Sequence, residues 1–198
     1  DGPSLRANKV QRWLWKCWLD FTESWLPEVV GDDPWVLVVN GDLIDGVHHH
    51  STQVHPDETV HARIACEVLA PFAELAEKRY VIRGTEVHVK NLETGIAASL
   101  QAEPSEQGWC HDHLMLNVGG CRVSFQHHIG ASVRPWLGGY QLLASLVEEQ
   151  FRAASRGHDM PDVIVRSHRH VYGALDTPHG MCVITPPWQA LTKYGKKV

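Results

Sequence analysis

Four apolar runs in this chain each end on ionisable side chains, and no other feature constrains its fold as much. "PWVLVV" (34–39) runs into Asn40-Gly41-Asp42, with Asp45 close behind. "RYVIR" (79–83) runs into "GTEVH", which carries Thr85, Glu86 and His88. "HLMLNVGGCRVSFQHH" (113–128) ends on His127-His128, and "DVIVRS" (162–167) is followed by His168-Arg169-His170. A buried carboxylate without a partner is costly, so strand ends that collect such groups should meet a cation or a dense hydrogen-bond network. Open α/β sheets place their sites along the carboxyl edge of the strands, where all four clusters fall. Carboxylate oxygens together with imidazole nitrogens suit Zn, Mn or Fe better than Ca. His168 and His170, two apart on an extended segment, point the same way.

Between these runs the apolar spacing predicts helices over 4–26, 56–78, 92–102 and 136–156. The first has Ser4 as a possible cap and places Val10, Leu14, Trp18, Phe21 and Trp25 on one face. Its tryptophans, Trp13 and Trp15 included, are expected to pack on a sheet rather than stack on bases. Pro56 suits the first turn of the second helix, and Pro71 threatens to kink or divide it. "PWVLVV" reads as a fully buried strand. Gly119-Gly120 should turn the hairpin of 113–128, and 171–189 should form another hairpin. The result is one α/β domain over residues 1–198 with mixed sheets.

Composition removes several function classes. The 198 residues are 43% hydrophobic and 21% charged, as expected of a globular chain with its own core. A net charge of −5 argues against wholesale nucleic-acid binding, while leaving open a polynucleotide held through a metal. No apolar run approaches the ~20 residues of a membrane span, so no membrane partner is expected. Five scattered cysteines without a CxxC pair favour reduced thiols and a cytoplasmic setting. Cys110-His111-Asp112-His113 has metal-binding residue types but opens a hairpin, so it is expected to face solvent.

The order Gly41-Asp42-Leu43-Ile44-Asp45, a Gly loop with His, a strand-end His and His168-Arg169-His170 resembles the calcineurin-like metallophosphoesterases, with the "TPPWQ" tail closer to phage and bacterial members. That family's motifs run D-x-H, G-D-x-x-D, G-N-H-D/E, H and G-H-x-H. The resemblance implies a sandwich of two mixed β-sheets flanked by helices (α/β/β/α), with two divalent transition-metal ions (Mn, Zn, Fe or Ni) between the sheet edges. It implies that Asp42 bridges both metals, that His127 (or His128) and His168 bind the second, and that His170 binds the first. Asp45 would orient a neighbouring ligand or loop. Two departures stand out. No D-x-H precedes Gly41, so a segment carrying the first strand is expected before Asp1. "RGTEVH" replaces the G-N-H loop, with Thr85 in the Asn position and Glu86 in the His position. Glu86 is then expected as the substitute metal ligand and His88 as the displaced acid, with the reverse assignment open.

The implied activity is hydrolysis of a phosphomonoester or phosphodiester, a nucleotide or nucleic acid among the substrates, by a two-metal-activated water. His88 would protonate the leaving oxygen. Arg83 and His49, within the run His48-His49-His50, would contact phosphate oxygens. The rival reading is an inactive scaffold of the same fold that binds a protein partner.

Overall fold

The computed structural model describes residues 6–47, 53–130 and 138–190. Ser4 and the histidines at 48–50, His49 among them, lie outside the described residues, as does the start of the helix expected from 136.

The chain opens with helix α1 (Lys9–Asp20), a π-helical turn (Phe21–Trp25) and α2 (Leu26–Val30). The cap of α1 is Asn8: its side chain accepts from the Val10 and Gln11 N–H groups, and Gln11 reaches back to the Asn8 N–H. This reciprocal box satisfies the orphan donors of α1, so its cap is Asn8 and not Ser4. Only part of the expected apolar face is used. Trp18 packs edge-on against Phe72 and Trp188 at 5.4 and 5.1 Å between ring centroids, and Phe21 joins them. Trp13 and Trp15, expected to pack on a sheet, remain 60% and 47% exposed.

Strands β1 (Val36–Val39) and β2 (Lys78–Val81) pair in parallel. Helix α3 (Glu58–Ala73) connects them, α4 (Glu86–Val89) follows β2, and α5 (Leu92–Ser99) comes next. The start of α3 is set by Asp57, whose carboxylate accepts from Thr59 N–H at 2.9 Å, so Pro56 stands before the helix and not in its first turn. Pro71 sits in the last turn, where the helix continues only to Ala73. Strand β1 is not fully buried as expected: Val36 is exposed and Leu37 to Val39 are half-buried. One core forms where Leu37 and Leu43 meet Ala65 and Leu69 of α3 and Ile96 of α5; Val81, Ala97 and Cys110 continue it beneath β2.

The larger sheet has the order β3-β4-β5-β7-β6, built from β3 (Leu114–Val118), β4 (Cys121–Phe125), β5 (Val163–Arg166), β6 (Gly173–Thr177) and β7 (Gly180–Ile184). It is mixed: the two hairpins are antiparallel, while β4·β5 and β5·β7 are parallel. Gly119 and Gly120 turn the first hairpin at φ 59° and 90°, values a side chain would resist. Helix α6 (Gly138–Ser155) closes the second core, setting Leu142 and Leu146 on Ile164, Cys182 and Ile184. The chain is thus α/β, with two sheets that each carry helices. The sheets meet at their carboxyl edges, where Asn40 Nδ2 beyond β1 donates to Ser167 Oγ beyond β5 at 2.8 Å. No helix among the described residues is long and apolar enough to cross a membrane.

Candidate metal centre

The loops leaving β1, β2, β4 and β5 converge on one cluster. Asp42, His127 and His168 each offer a donor atom, and these atoms all lie within 4.8 Å of one another. His127 is buried, at 2% exposed, and its Nε2 stands 3.0 Å from Asp42 Oδ2. Its other nitrogen, Nδ1, is 2.7 Å from the Asn40 carbonyl, which can only accept, so Nδ1 carries the proton. Nε2 therefore turns either a second proton or a bare lone pair toward the carboxylate. Two lone pairs at that distance repel, so the pair needs a proton or a cation between its members. Of the His127-His128 doublet, His127 is thus the one turned inward; His128 is exposed, its ring 4.6 Å from that of His168.

The local backbone explains how these groups come so close. Gly41 has φ +82°, and a Cβ there would meet His127 Nδ1 at 2.5 Å. A Cβ on Gly84 would strike the Asp42 backbone nitrogen and its Oδ1, so only glycine lets the loop after β2 lie on Asp42. Thr85, next in that loop, binds everything in the cluster. Its N–H donates to Asp42 Oδ1 at 2.6 Å; its hydroxyl is 3.2 Å from Asp42 Oδ2, 3.3 Å from His127 Nε2 and 3.2 Å from His168 Nδ1. Beneath, the fully buried Glu93 accepts from Gly84 N–H at 2.6 Å and from Leu43 N–H at 3.4 Å, tying the two loops together.

The electrostatics follow from this geometry. Burial alone would raise the Asp42 carboxyl, but the hydrogen bond and charge of His127 and the Thr85 N–H hold it below its ordinary range. Burial works against a charge on His127, yet Asp42 and the Asn40 carbonyl raise it above the ordinary imidazole value. Burial, with the neighbouring His128 and His127, presses His168 down to about 4, leaving a neutral imidazole available as a ligand. Burial likewise lowers His170. Burial also pushes the Glu93 carboxyl up to about 7 against the pull of its two backbone donors. One carboxylate, the neutral His168 imidazole and His127, whose Nε2 can yield its proton to an arriving cation, are a donor set that fits a divalent transition metal.

The remaining residues singled out in the sequence fall as follows. His170 is half-buried beside the cluster but does not belong to the three-donor set. His88, within α4, donates Nδ1–H to the Asp45 carbonyl at 2.8 Å and lies near enough for its charge to be felt by Asp42 and His170. Glu86, the first residue of α4, is exposed and is not drawn into the donor set. Arg83 pairs with Asp112 at 2.8 Å, which raises its guanidinium. Of the Cys110–His113 stretch, Asp112 and His113 face solvent as expected, His113 reaching Glu149 at 2.9 Å, whereas Cys110 is buried and the half-buried His111 pairs through its backbone with Val81 and Arg83. The side chains of this stretch go to separate partners because it extends the edge of β2. Asn40, Thr85 and Glu93 build the site without being among the expected ligands, although Asn40 stands inside the Asn40-Gly41-Asp42 stretch itself. A recess of about 410 Å³, lined by Pro34, Trp35 and Leu75, opens at the other end of β1 and β2 and takes no part in the cluster.

No protein-family model matches this chain, and no curated protein sequence matches it. Among solved structures, similar ones include a double mutant of Vps29 from Entamoeba histolytica, 12% identical over 93% of this chain and 67% of that one, with a TM-score of 0.44. A conserved protein of Streptococcus pneumoniae, a predicted phosphoesterase, is 10% identical over 76% of this chain and 71% of that one, with a TM-score of 0.39. An archaeal phosphodiesterase is 14% identical over 76% of this chain and 81% of that one, with a TM-score of 0.37. Likenesses this distant say nothing of what this chain does.

Proposed function

We propose that the chain is a metal-dependent phosphoesterase. What supports this is the meeting of Asp42, His127 and His168 at one sheet edge, in the motif order quoted above, with His127 Nε2 aimed at the carboxylate by the Asn40 carbonyl. Asp42, His127 and His168 would hold one divalent transition metal, and His170 would help hold a second beside it. Bound metals of this kind supply Lewis acidity, acidifying a water and drawing in phosphate oxygens. Asp42 sets the negative side of the site, and the Thr85 N–H fixes which of its oxygens stays turned outward. His88, held by its hydrogen bond to the Asp45 carbonyl, would deliver a proton to the departing oxygen. The substrate is a phosphomonoester or phosphodiester, with nucleotides and nucleic acids in the class.

The test has two parts. Elemental analysis after dialysis should find Mn, Zn, Fe or Ni bound, and Asp42→Ala should release it. With Mn present, p-nitrophenyl phosphate or its bis-ester should be hydrolysed, and Asp42→Ala should stop this. Folded, metal-loaded protein inert on both esters, on nucleotides and on DNA would turn the reading to a scaffold.

A further inference from the structure

We propose that the Thr85 hydroxyl is itself a metal donor, completing a four-donor set with Asp42, His127 and His168. This rests on the metal-centre reading above and gives Thr85 the part that the sequence pattern assigned to Glu86.

Three observations carry it. The first is position. Thr85 Oγ1 is 3.2 Å from Asp42 Oδ2, 3.3 Å from His127 Nε2 and 3.2 Å from His168 Nδ1, and the Asp42–His127 edge is 3.0 Å. Metal–donor bonds of 2.0–2.1 Å place tetrahedral donors about 3.3–3.4 Å apart and neighbouring octahedral donors about 3.0 Å apart. Four of the six edges between these atoms thus have the length that a shared ion requires. The second is a hydrogen-bond imbalance. One hydroxyl has one proton, yet Oγ1 faces Asp42 Oδ2, His127 Nε2 and His168 Nδ1 all within 3.3 Å, so it can donate to one of the three alone. Three oxygen or nitrogen atoms crowd one hydroxyl, as donors do around a shared cation.

The third is a forgone bond. Thr85 stands at the N-cap of α4 with extended backbone, φ −77° and ψ 128°, the conformation in which a threonine hydroxyl ordinarily accepts from the N–H two or three residues on. It makes no such bond. The hydroxyl is turned to the three donors at the cost of capping its own helix. A neutral hydroxyl is a hard oxygen donor, of the kind that holds Mg²⁺ in phosphate-binding loops, and it biases the centre toward Mn over softer ions.

The experiment compares wild type, Thr85→Ser, Thr85→Val and Asp42→Asn, each loaded with no more than one equivalent of Mn²⁺. Affinity is read by calorimetry, and the number of waters on the ion by ¹⁷O and water-proton relaxation. Valine keeps the shape and the N–H that binds Asp42, and loses only the oxygen. Thr85→Val should weaken binding at least about tenfold, since loss of a mere supporting partner already costs about 10–100-fold. It should also add one water to the ion, as solvent takes the vacated position. Thr85→Ser should match wild type in both. If Thr85→Val weakens binding without adding a water, the hydroxyl only supports Asp42 and the proposal is overturned. Unchanged affinity overturns it too, while loss of binding in Asp42→Asn would leave the metal centre standing. A wild type that binds no Mn²⁺ removes both. Should Thr85→Val fail to fold, Thr85→Ala is read by the same water count.

Discussion

Truncating Glu149 of α6 to alanine should cost several kcal/mol of stability, because it strands a buried cation of the larger sheet. The Glu149 carboxylate, on α6, accepts from Arg166 of β5, from Ser124 of β4 and, at 2.9 Å, from His113. Arg166 is 1% exposed, and its Nη1 goes to the Val165 carbonyl at 2.9 Å. Burial works against the Glu149 charge, but His113, Arg166 and Ser124 together hold the carboxyl at about 2, against its ordinary 4.5. That difference corresponds to ~3 kcal/mol in favour of the charged folded form. Burial of Arg166 lowers its own guanidinium and so opposes part of this gain. Glu149→Ala removes the partner and leaves a buried cation, which raises the expected cost to about 3–5 kcal/mol at pH 7. The folded value is depressed, so the contribution is complete above pH 4.5 and fades as pH falls through 2. Urea unfolding followed by circular dichroism at pH 7, 5, 3 and 2 would measure it. Wild type and Glu149→Ala should converge toward the acid end. Glu149→Leu combined with Arg166→Met should recover most of the loss, because no charge is then stranded. A cost under about 1 kcal/mol at pH 7, or one that does not change between pH 5 and 2, would refute the reasoning.

Other outcomes follow from features already described. Gly84→Ala should press on the Asp42 backbone, cost about 1–3 kcal/mol, and cut metal affinity measured by calorimetry. Gly95→Ala, inside α5 where a Cβ meets nothing within 4 Å, should instead raise stability in urea by about 0.5–1 kcal/mol. Trp18→Ala should cost about 3 kcal/mol by breaking the contacts with Phe72 and Trp188, whereas Trp13→Ala should stay within ~0.5 kcal/mol. Chelator should lower the melting temperature, and excess Mn²⁺ should restore it, by about 2.7 kcal/mol of stability at 100 times the dissociation constant.

The strands and both hairpins were legible in the sequence because period, turn residues and β-branched content agreed there. So was the convergence of Asp42, His127 and His168, since each follows directly from a strand end. What could not be read depends on partners distant in the chain. His127 and His128 lie past the last paired residue of β4, Phe125, so alternation no longer says which faces inward; the Asn40 carbonyl decides it. Asn8 displaced Ser4 as the cap because Gln11 could answer it. The Cys110–His113 stretch looked like a loop because its strand-like pairing with Val81 and Arg83 is a single bridge with no periodicity of its own. Glu93 gave no local sign at all: an acidic residue in the first turn of a helix is ordinary, and only the Leu43 and Gly84 donors make it structural.

Asp42, His168 and His170 all have left-handed backbones, at φ 54°, 68° and 54°. Each non-glycine residue held there costs about 1–3 kcal/mol relative to a relaxed conformation. Glycine would relieve the strain at all three positions, and asparagine most of it. Heat resistance and the cluster therefore pull these positions in opposite directions. A library of variants sorted only for survival at high temperature should accumulate glycine and asparagine there, keeping the fold while discarding the donors.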